Sequence, residues 1–230
     1  MKSLLANINI KVDGKIYLKD PETSEIGRNI IKNGILLMDE LGLESFTFRK
    51  LAERIGSTEA TIYRYFESKH KLLIYLISWY WSWQEYRLMF AVSNIESAET
   101  RLKIAIRILS GEIKQDMDFA HIDEETLQRI VVAESAKAYL TKEVDLDNKD
   151  GFFFSYKRFC KRIVNLISEV NPDYPFPASL VSTLTESAHY QKFFAQHLPS
   201  LTNIGENSKQ HLEDFLTDLT FKVIGRQQQV

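Results

Sequence analysis

Glu59, Ala60, Thr61, Tyr63, Arg64 and Tyr65 fall within seven consecutive residues and make the most chemically pointed stretch of the 230-residue chain. Ile62 and Phe66 stand four apart among them, so at helical spacing they share one face and leave the others turned away. Two tyrosines and an arginine on an outward face suit a polyanion. Tyrosine hydroxyls donate to phosphate oxygens, arginine can pair with base edges, and small Ala60 and Thr61 allow close approach in a major groove. The competing reading packs the tyrosines, half-buried, against neighbouring helices.

Two short helices must hold that face. Thr47 is a good N-cap, and Phe48, Leu51, Ala52 and Ile55 recur at helical spacing until Gly56, a natural stop. Thr58 caps the next helix, whose Ile62 and Phe66 can pack on Leu51 and Ile55, which is a helix-turn-helix pattern. A third helix begins after Ser68, with Lys69, His70 and Lys71 in its first turn, where the macrodipole disfavours positive charge. A DNA phosphate there, held by backbone amides and Lys69, would remove the conflict. From Thr47 to Leu72 the cations Arg49, Lys50, Arg54, Arg64, Lys69 and Lys71 outnumber Glu53, Glu59 and Glu67. The surplus is modest, so a single copy is expected to bind weakly.

The pattern Thr47, Leu51, Ala52, Gly56, Thr61, Ile62, Tyr63, Tyr65, Phe66, Lys69 and Leu72 resembles the TetR family of bacterial transcriptional regulators. The resemblance covers Ile26 to about Leu76. It implies that Arg49, Glu59, Ala60 and Arg64 face bases, while Thr47, Thr61, Tyr63, Tyr65 and Lys69 hold the sugar-phosphate backbone. Thr58, at the cap, completes the candidate DNA-binding set. Ser57 departs from the buried valine usual in the family's turn, and Tyr65 stands where histidine is common.

Composition places limits on the rest. The net charge of −2 excludes a polybasic coat, so DNA affinity must come from a local patch. Cys160 is the single cysteine, which excludes an internal disulfide and points to the cytosol. No apolar run approaches the roughly 20 residues of a membrane span, and the start lacks a signal-peptide stretch.

An all-α chain is expected, apart from its first residues. Residues 7–19 alternate polar and apolar around Asp13-Gly14, which predicts a short β-hairpin with Ile8, Ile10, Ile16 and Leu18 on one face. Asp20-Pro21 then starts a helix whose stripe Ile26, Ile30, Ile31, Gly34, Leu37, Met38 and Leu41 ends at Gly42. The expected division is an arm at 1–19, a three-helix DNA-binding bundle at 20–72, and a helical effector-binding and dimerisation domain at 73–230. In the last, helices are expected near 68–90, 97–117, 123–140, 149–170, 178–198 and 207–224.

Trp83, Tyr86, Phe90, Phe152 and Tyr156 lie on aromatic stripes there and are the candidate lining of an effector cavity, core packing being the alternative. Such an effector would be largely apolar, since no cationic cluster is taken as an argument for a phosphorylated one. Leu184, Ala188, Gln191, Leu212, Phe215, Leu216 and Leu219 on the last two helices are candidates for a dimer interface or for intrachain core. The resemblance favours a homodimer, which would set two recognition helices on a near-palindromic double-stranded DNA site.

Catalysis and metal binding find no support in the spacing. No two of the 5 histidines stand three or four apart, Cys160 has no partner motif, and no Gly-rich phosphate loop occurs. No cofactor is expected. The reading reached from the residues is a ligand-responsive transcription factor, and the resemblance implies a repressor released from its operator by a small effector. The alternative is a dimeric small-molecule-binding or scaffold protein that no longer reads DNA.

Overall fold

The computed structural model describes residues 10–111, 121–205 and 209–225. Among them every regular element is helical. The chain divides into two compact units, Met1–Trp83 with Ile113–Ser155, and Gln84–Glu112 with Tyr156–Val230. No helix of the described residues is long and apolar enough to cross a membrane.

The first unit opens on irregular backbone in place of the expected hairpin. Asp13 closes a turn by accepting the Ile16 amide at 3.1 Å and, through its side chain, the Lys15 amide at 2.9 Å. The Leu18 amide then donates to the Tyr65 carbonyl at 2.8 Å. Ile10 and Ile16 are buried, but Leu18 is 60 % exposed, so the predicted common face does not form; Ile8 lies outside the described residues. The physical reason is competition. An isolated two-stranded ladder is marginal in water, and here the backbone has a better partner in the helical bundle.

Asp20 and Pro21 make a single 3-10 turn, Pro21–Thr23, and Ser24 caps the true first helix, α1 (Glu25–Ser45), by accepting the Gly27 amide. The break foreseen at Gly42 is present, since φ there is +70° within α1. α2 (Phe48–Arg54) and α3 (Glu59–Tyr63) follow, then α4 (Lys69–Val92). Residues 72–83 of α4 are buried on every side, which is what an apolar sequence without a polar stripe requires. α6 (Glu124–Tyr139), capped by Asp123, lies along α1, and a short α7 (Val144–Lys149) completes the unit.

The second unit is built from the end of α4, α5 (Ala98–Ser110), α8 (Phe154–Val170, from Tyr156), α9 (Pro177–His197) and α10 (Lys209–Ile224). α10 packs on α5 and α9 around Leu102, Ile106, Leu184 and Leu216. Ion pairs tie its rim, Arg101 to Glu169 at 2.6 Å and Arg107 to Glu213 at 3.0 Å. The helix expected over 149–170 is α8, which begins only at Phe154, because residue 149 closes α7 and the chain turns between them at Gly151, φ +90°. Of the helix expected over 97–117, residues 112–117 lie outside the described part.

Candidate nucleic-acid interface

Local chemistry builds the α2–α3 turn. The Thr47 hydroxyl accepts the Lys50 amide at 3.2 Å, and the Thr58 hydroxyl accepts the Thr61 amide at 3.3 Å. Each cap satisfies one of the donors a helix start leaves unpaired, worth about 1 kcal/mol. Between them Gly56 sits at φ +64° with open space around the position of a Cβ, so conformation and not crowding demands glycine. Ser57 donates its amide to the Ala52 carbonyl at 2.9 Å, which closes the turn without the buried valine of the resembled family. Leu51, Ile62 and Phe66 are fully buried beneath it.

Opposite that core, Glu59, Ala60 and Arg64 are exposed. Tyr63 is 48 % exposed and rests edge-on against Phe48, ring centroids 5.0 Å apart, so its ring is braced while part of it faces solvent. Thr61 is half-buried, with its hydroxyl 3.1 Å from that of Thr58. Arg49, on α2, forms an exposed pair with Glu53 at 3.0 Å, an i,i+4 contact worth a few tenths of a kcal/mol and readily exchanged for another anion.

Two residues of the candidate set are spent elsewhere. Tyr65 is 2 % exposed, and its hydroxyl meets the Ser24 hydroxyl at 2.8 Å. The pair of outward tyrosines thus reduces to Tyr63 alone. Tyr65 stands three residues after the fully buried Ile62, a spacing that keeps both on the inner side of the turn, and its ring points to α1. Lys69 turns its ammonium to the carbonyls of Leu43, Glu44 and Phe46 at 2.8, 3.1 and 3.3 Å. It caps the broken end of α1, and the role of phosphate holder is withdrawn for both residues.

The other basic side chains of the α4 start are also met from within. Asp147 of α7, buried, receives His70 at 3.4 Å and Lys71 at 3.6 Å, and Lys71 lies 3.6 Å above the Phe152 ring. No external anion is needed to relieve the helix dipole.

Sequence reasoning missed the seam that holds α1 in place. Glu134 of α6 accepts the buried Leu43 amide at 3.0 Å, just past the break at Gly42. Arg129 pairs with Asp39 through two bonds of 3.1 and 2.8 Å, and Lys137 reaches Glu134 at 2.8 Å and Glu44 at 3.6 Å. Apart from the i,i+3 contact of Lys137 with Glu134, the partners stand about ninety residues apart in sequence, so no local pattern signals them.

The candidate effector residues divide between the units. In the first, Trp83 is 2 % exposed and stacks on Trp79 with centroids 6.0 Å apart, and Phe152 is buried under Lys71. In the second, Tyr86 stacks on Phe90 at 6.4 Å, with Phe90 69 % exposed. Tyr156 bonds the Cys160 thiol, which also meets Thr185; burial pushes that thiol up to about 11. His189 on α9 is fully buried, and burial, helped by nearby Lys192, holds it down at about 3, so it is neutral. An open depression of about 460 Å³ is lined by Glu25, Ile26, Arg28, Asn29, Lys32 and His121 and includes none of the five.

Most of the candidate dimer face is core. Leu184, Ala188, Leu212 and Leu216 are buried within one chain, because the small and apolar stripes of α9 and α10 face each other and α5. Gln191 accepts the Thr202 hydroxyl at 2.5 Å. Phe215 is 42 % exposed and Leu219 half-buried, and with Tyr190 and Val223 they form the outward apolar surface of these helices.

Among the described residues no group of three or more His, Cys, Asp or Glu is arranged to hold a metal ion. The family model for bacterial regulatory proteins of the tetR family matches residues 30–76. No curated protein sequence matches the chain. Among solved structures, AibR in complex with isovaleryl coenzyme A and operator DNA superposes with a TM-score of 0.59 at 15 % identity, covering 84 % of this chain and 97 % of that one. FadR from Bacillus subtilis in complex with stearoyl-CoA gives 0.60 at 15 % identity, over 85 % and 97 %. The superantigen PfiT gives 0.59 at 15 % identity, over 91 % and 100 %. At such identity the likeness is one of fold.

Proposed function

We propose that this chain, which over residues 30–76 carries the domain of the tetR family of bacterial regulatory proteins, is a homodimeric, ligand-responsive regulator that reads double-stranded DNA with α3. The observation that carries the reading is the division of labour in α3. Ile62 is fully buried, while Glu59, Ala60, Tyr63 and Arg64 are left to solvent on a helix capped and braced at both ends. Arg64, Glu59 and Ala60 are the base readers, with Arg49 beside them. Tyr63, Thr61, Thr47 and Thr58 are the backbone contacts; one of the Thr58 and Thr61 hydroxyls donates to the other, and the remaining hydroxyls can donate outward.

Dimerisation supplies what one copy lacks. Tyr190, Phe215, Leu219 and Val223 make the surface that a second copy would cover, and two-fold symmetry would set two α3 helices in successive major grooves. Regulation is by release: a small molecule bound in the second unit lowers operator affinity, which makes the protein a repressor. AibR and FadR are described with coenzyme A thioesters, molecules that join an apolar acyl chain to a phosphorylated nucleotide, and this supports that mixed class as the first to screen.

Selection of random duplex DNA on the purified chain, followed by sequencing of what is retained, tests the reading. Enrichment of a near-palindrome with half-sites about one helical turn apart, or a multiple of it, is expected. A folded dimer that enriches nothing would instead indicate a binding or scaffold protein on the same fold.

A further inference from the structure

The interface on α3 is short of charge for a DNA reader. Among the cations between Thr47 and Leu72, Lys69 caps the end of α1, and Lys71 lies between Asp147 and the Phe152 ring. Arg54 pairs with Glu40 at 2.6 Å, Lys50 donates to the Ser45 carbonyl at 2.8 Å, and Arg49 pairs with Glu53. Arg64 stays exposed, and its role is to read a base. The hydroxyls of Tyr63 and the threonines can donate to phosphates, but they displace no counterions. Neutralising phosphates with Lys and Arg supplies a large share of the affinity for a duplex. A cation held near α3 from elsewhere in the chain would make up the shortage.

The backbone just ahead of the 3-10 turn brings one there. The Leu18 amide donates to the Tyr65 carbonyl at 2.8 Å, which fixes this arm at the residue that follows Arg64. Ile16, 2 % exposed, seats the arm from the core side, and Leu18 itself faces solvent. Lys19 comes next and is exposed, with its ammonium 5.1 Å from the centroid of the Tyr65 ring. A ring face orients an ammonium and leaves its charge, whereas a carboxylate would cancel it. Among the described residues no ion pair includes Lys19, and neighbouring Asp20 accepts the Glu22 amide at 2.9 Å. What separates Lys19 from an ordinary surface lysine is this combination: an anchored backbone, an oriented ammonium and a place one residue from the base-reading arginine. The major groove is about 12 Å wide with a phosphate strand on each side, so a group beside the exit of a reading helix meets a strand and not bases.

We infer that Lys19 is a phosphate contact of the DNA interface and takes the role that Lys69 was expected to hold. The inference rests on α3 being the reading helix. It makes the arm part of the interface, where it contributes affinity and no base preference.

The salt dependence of duplex binding by the full chain tests it, read by fluorescence anisotropy on a random duplex and on any site that selection yields. A phosphate contact is indifferent to sequence, so both duplexes serve. Lys19→Ala should make the slope of log affinity against log salt shallower by about one unit for each protomer bound, and should weaken binding to both duplexes alike. Lys19→Arg should keep the parent slope. Lys103→Ala removes the same charge from an exposed position on α5 of the second unit and should also leave the slope unchanged. A Lys19→Ala slope equal to the parent's, or a change shared in full by Lys103→Ala, would overturn the inference. Selection on random duplexes separates it from the reading of α3. A parent that enriches a site while Lys19→Ala keeps its slope loses the arm contact alone. One that shows the Lys19 dependence but enriches nothing loses base reading alone, and one that binds no duplex loses both.

Discussion

The outward face of α3 and the polar groups turned inward elsewhere use the same residue types to opposite ends. On α3, Glu59, Tyr63 and Arg64 stand in solvent, and nothing in the folding of the chain requires their polar tips. In the first unit Glu134, Lys69 and Tyr65 turn their tips inward and each completes a backbone or side-chain bond that folding would otherwise leave unmade; in the second, His189 is buried. The difference teaches how to separate binding residues from structural ones in this chain. A polar tip that the fold does not use can be removed at little cost in stability, and one that it does use cannot.

The largest effect should come from His189. Its folded value of about 3 lies below the ordinary 6.5 or so, so between those limits the unfolded chain binds a proton that the native chain refuses. Stability is therefore whole above about pH 6.5 and falls as pH drops toward 3, by up to about 1.4 kcal/mol per pH unit. Burial raises Glu186 three residues away, and that group acts in the opposite sense, gaining stability as pH falls through its raised value. Urea denaturation of the parent and of His189→Gln between pH 7 and 5 should show the parent's slope flattened in the variant. Equal slopes would mean that the imidazole is not held neutral.

Glu134→Ala should cost about 1 to 3 kcal/mol, because it strands the buried Leu43 amide, whereas Glu134→Gln retains an acceptor and should cost less than half of that. A pair of variants with equal midpoints would place the seam outside the folding core. Arg64→Ala should leave the denaturation midpoint within about 0.5 kcal/mol of the parent and cost 1 to 3 kcal/mol at one base position, roughly, in binding to a selected site. A uniform loss over all sequences would instead make Arg64 a backbone contact.

Lys69→Ala sharpens the contrast. Its ammonium closes the end of α1, so about 1 kcal/mol of stability should be lost while the salt dependence of DNA binding keeps its slope. A slope shallower by about one unit would return Lys69 to the DNA. Smallest of all, Tyr65→Phe should cost about 1 kcal/mol or less through the lost Ser24 bond and leave DNA binding untouched, while Tyr63→Phe should do the reverse.

Much of this was readable from local chemistry. The caps Thr47 and Thr58, the stop at Gly56 and the buried pair Ile62 and Phe66 depend only on neighbours within a few residues, and all stand where their spacing places them. Tyr65 and Lys69 were misread for separate reasons: Tyr65 stands three residues after the buried Ile62, a spacing that turns its ring inward, and the broken end of α1 draws in Lys69. The hairpin failed for a related reason, since alternation describes a ladder's faces but not whether a better backbone partner exists. Leu184 and Leu216 look alike from sequence whether they meet α5 or a second copy, because periodicity names a face and not its occupant.

Sequence by itself determined the helical class, the turn between α2 and α3 and the residues it leaves outward, because each rests on backbone preferences and side chains within one or two turns. Tertiary structure alone decided which polar groups are used up: Glu134 beneath α1, Lys69 at its end, Glu85 between two arginines of α8. These bonds close over some twenty-five to ninety residues of chain, and a hydrogen bond selects its partner by geometry in space, which spacing along the sequence does not encode.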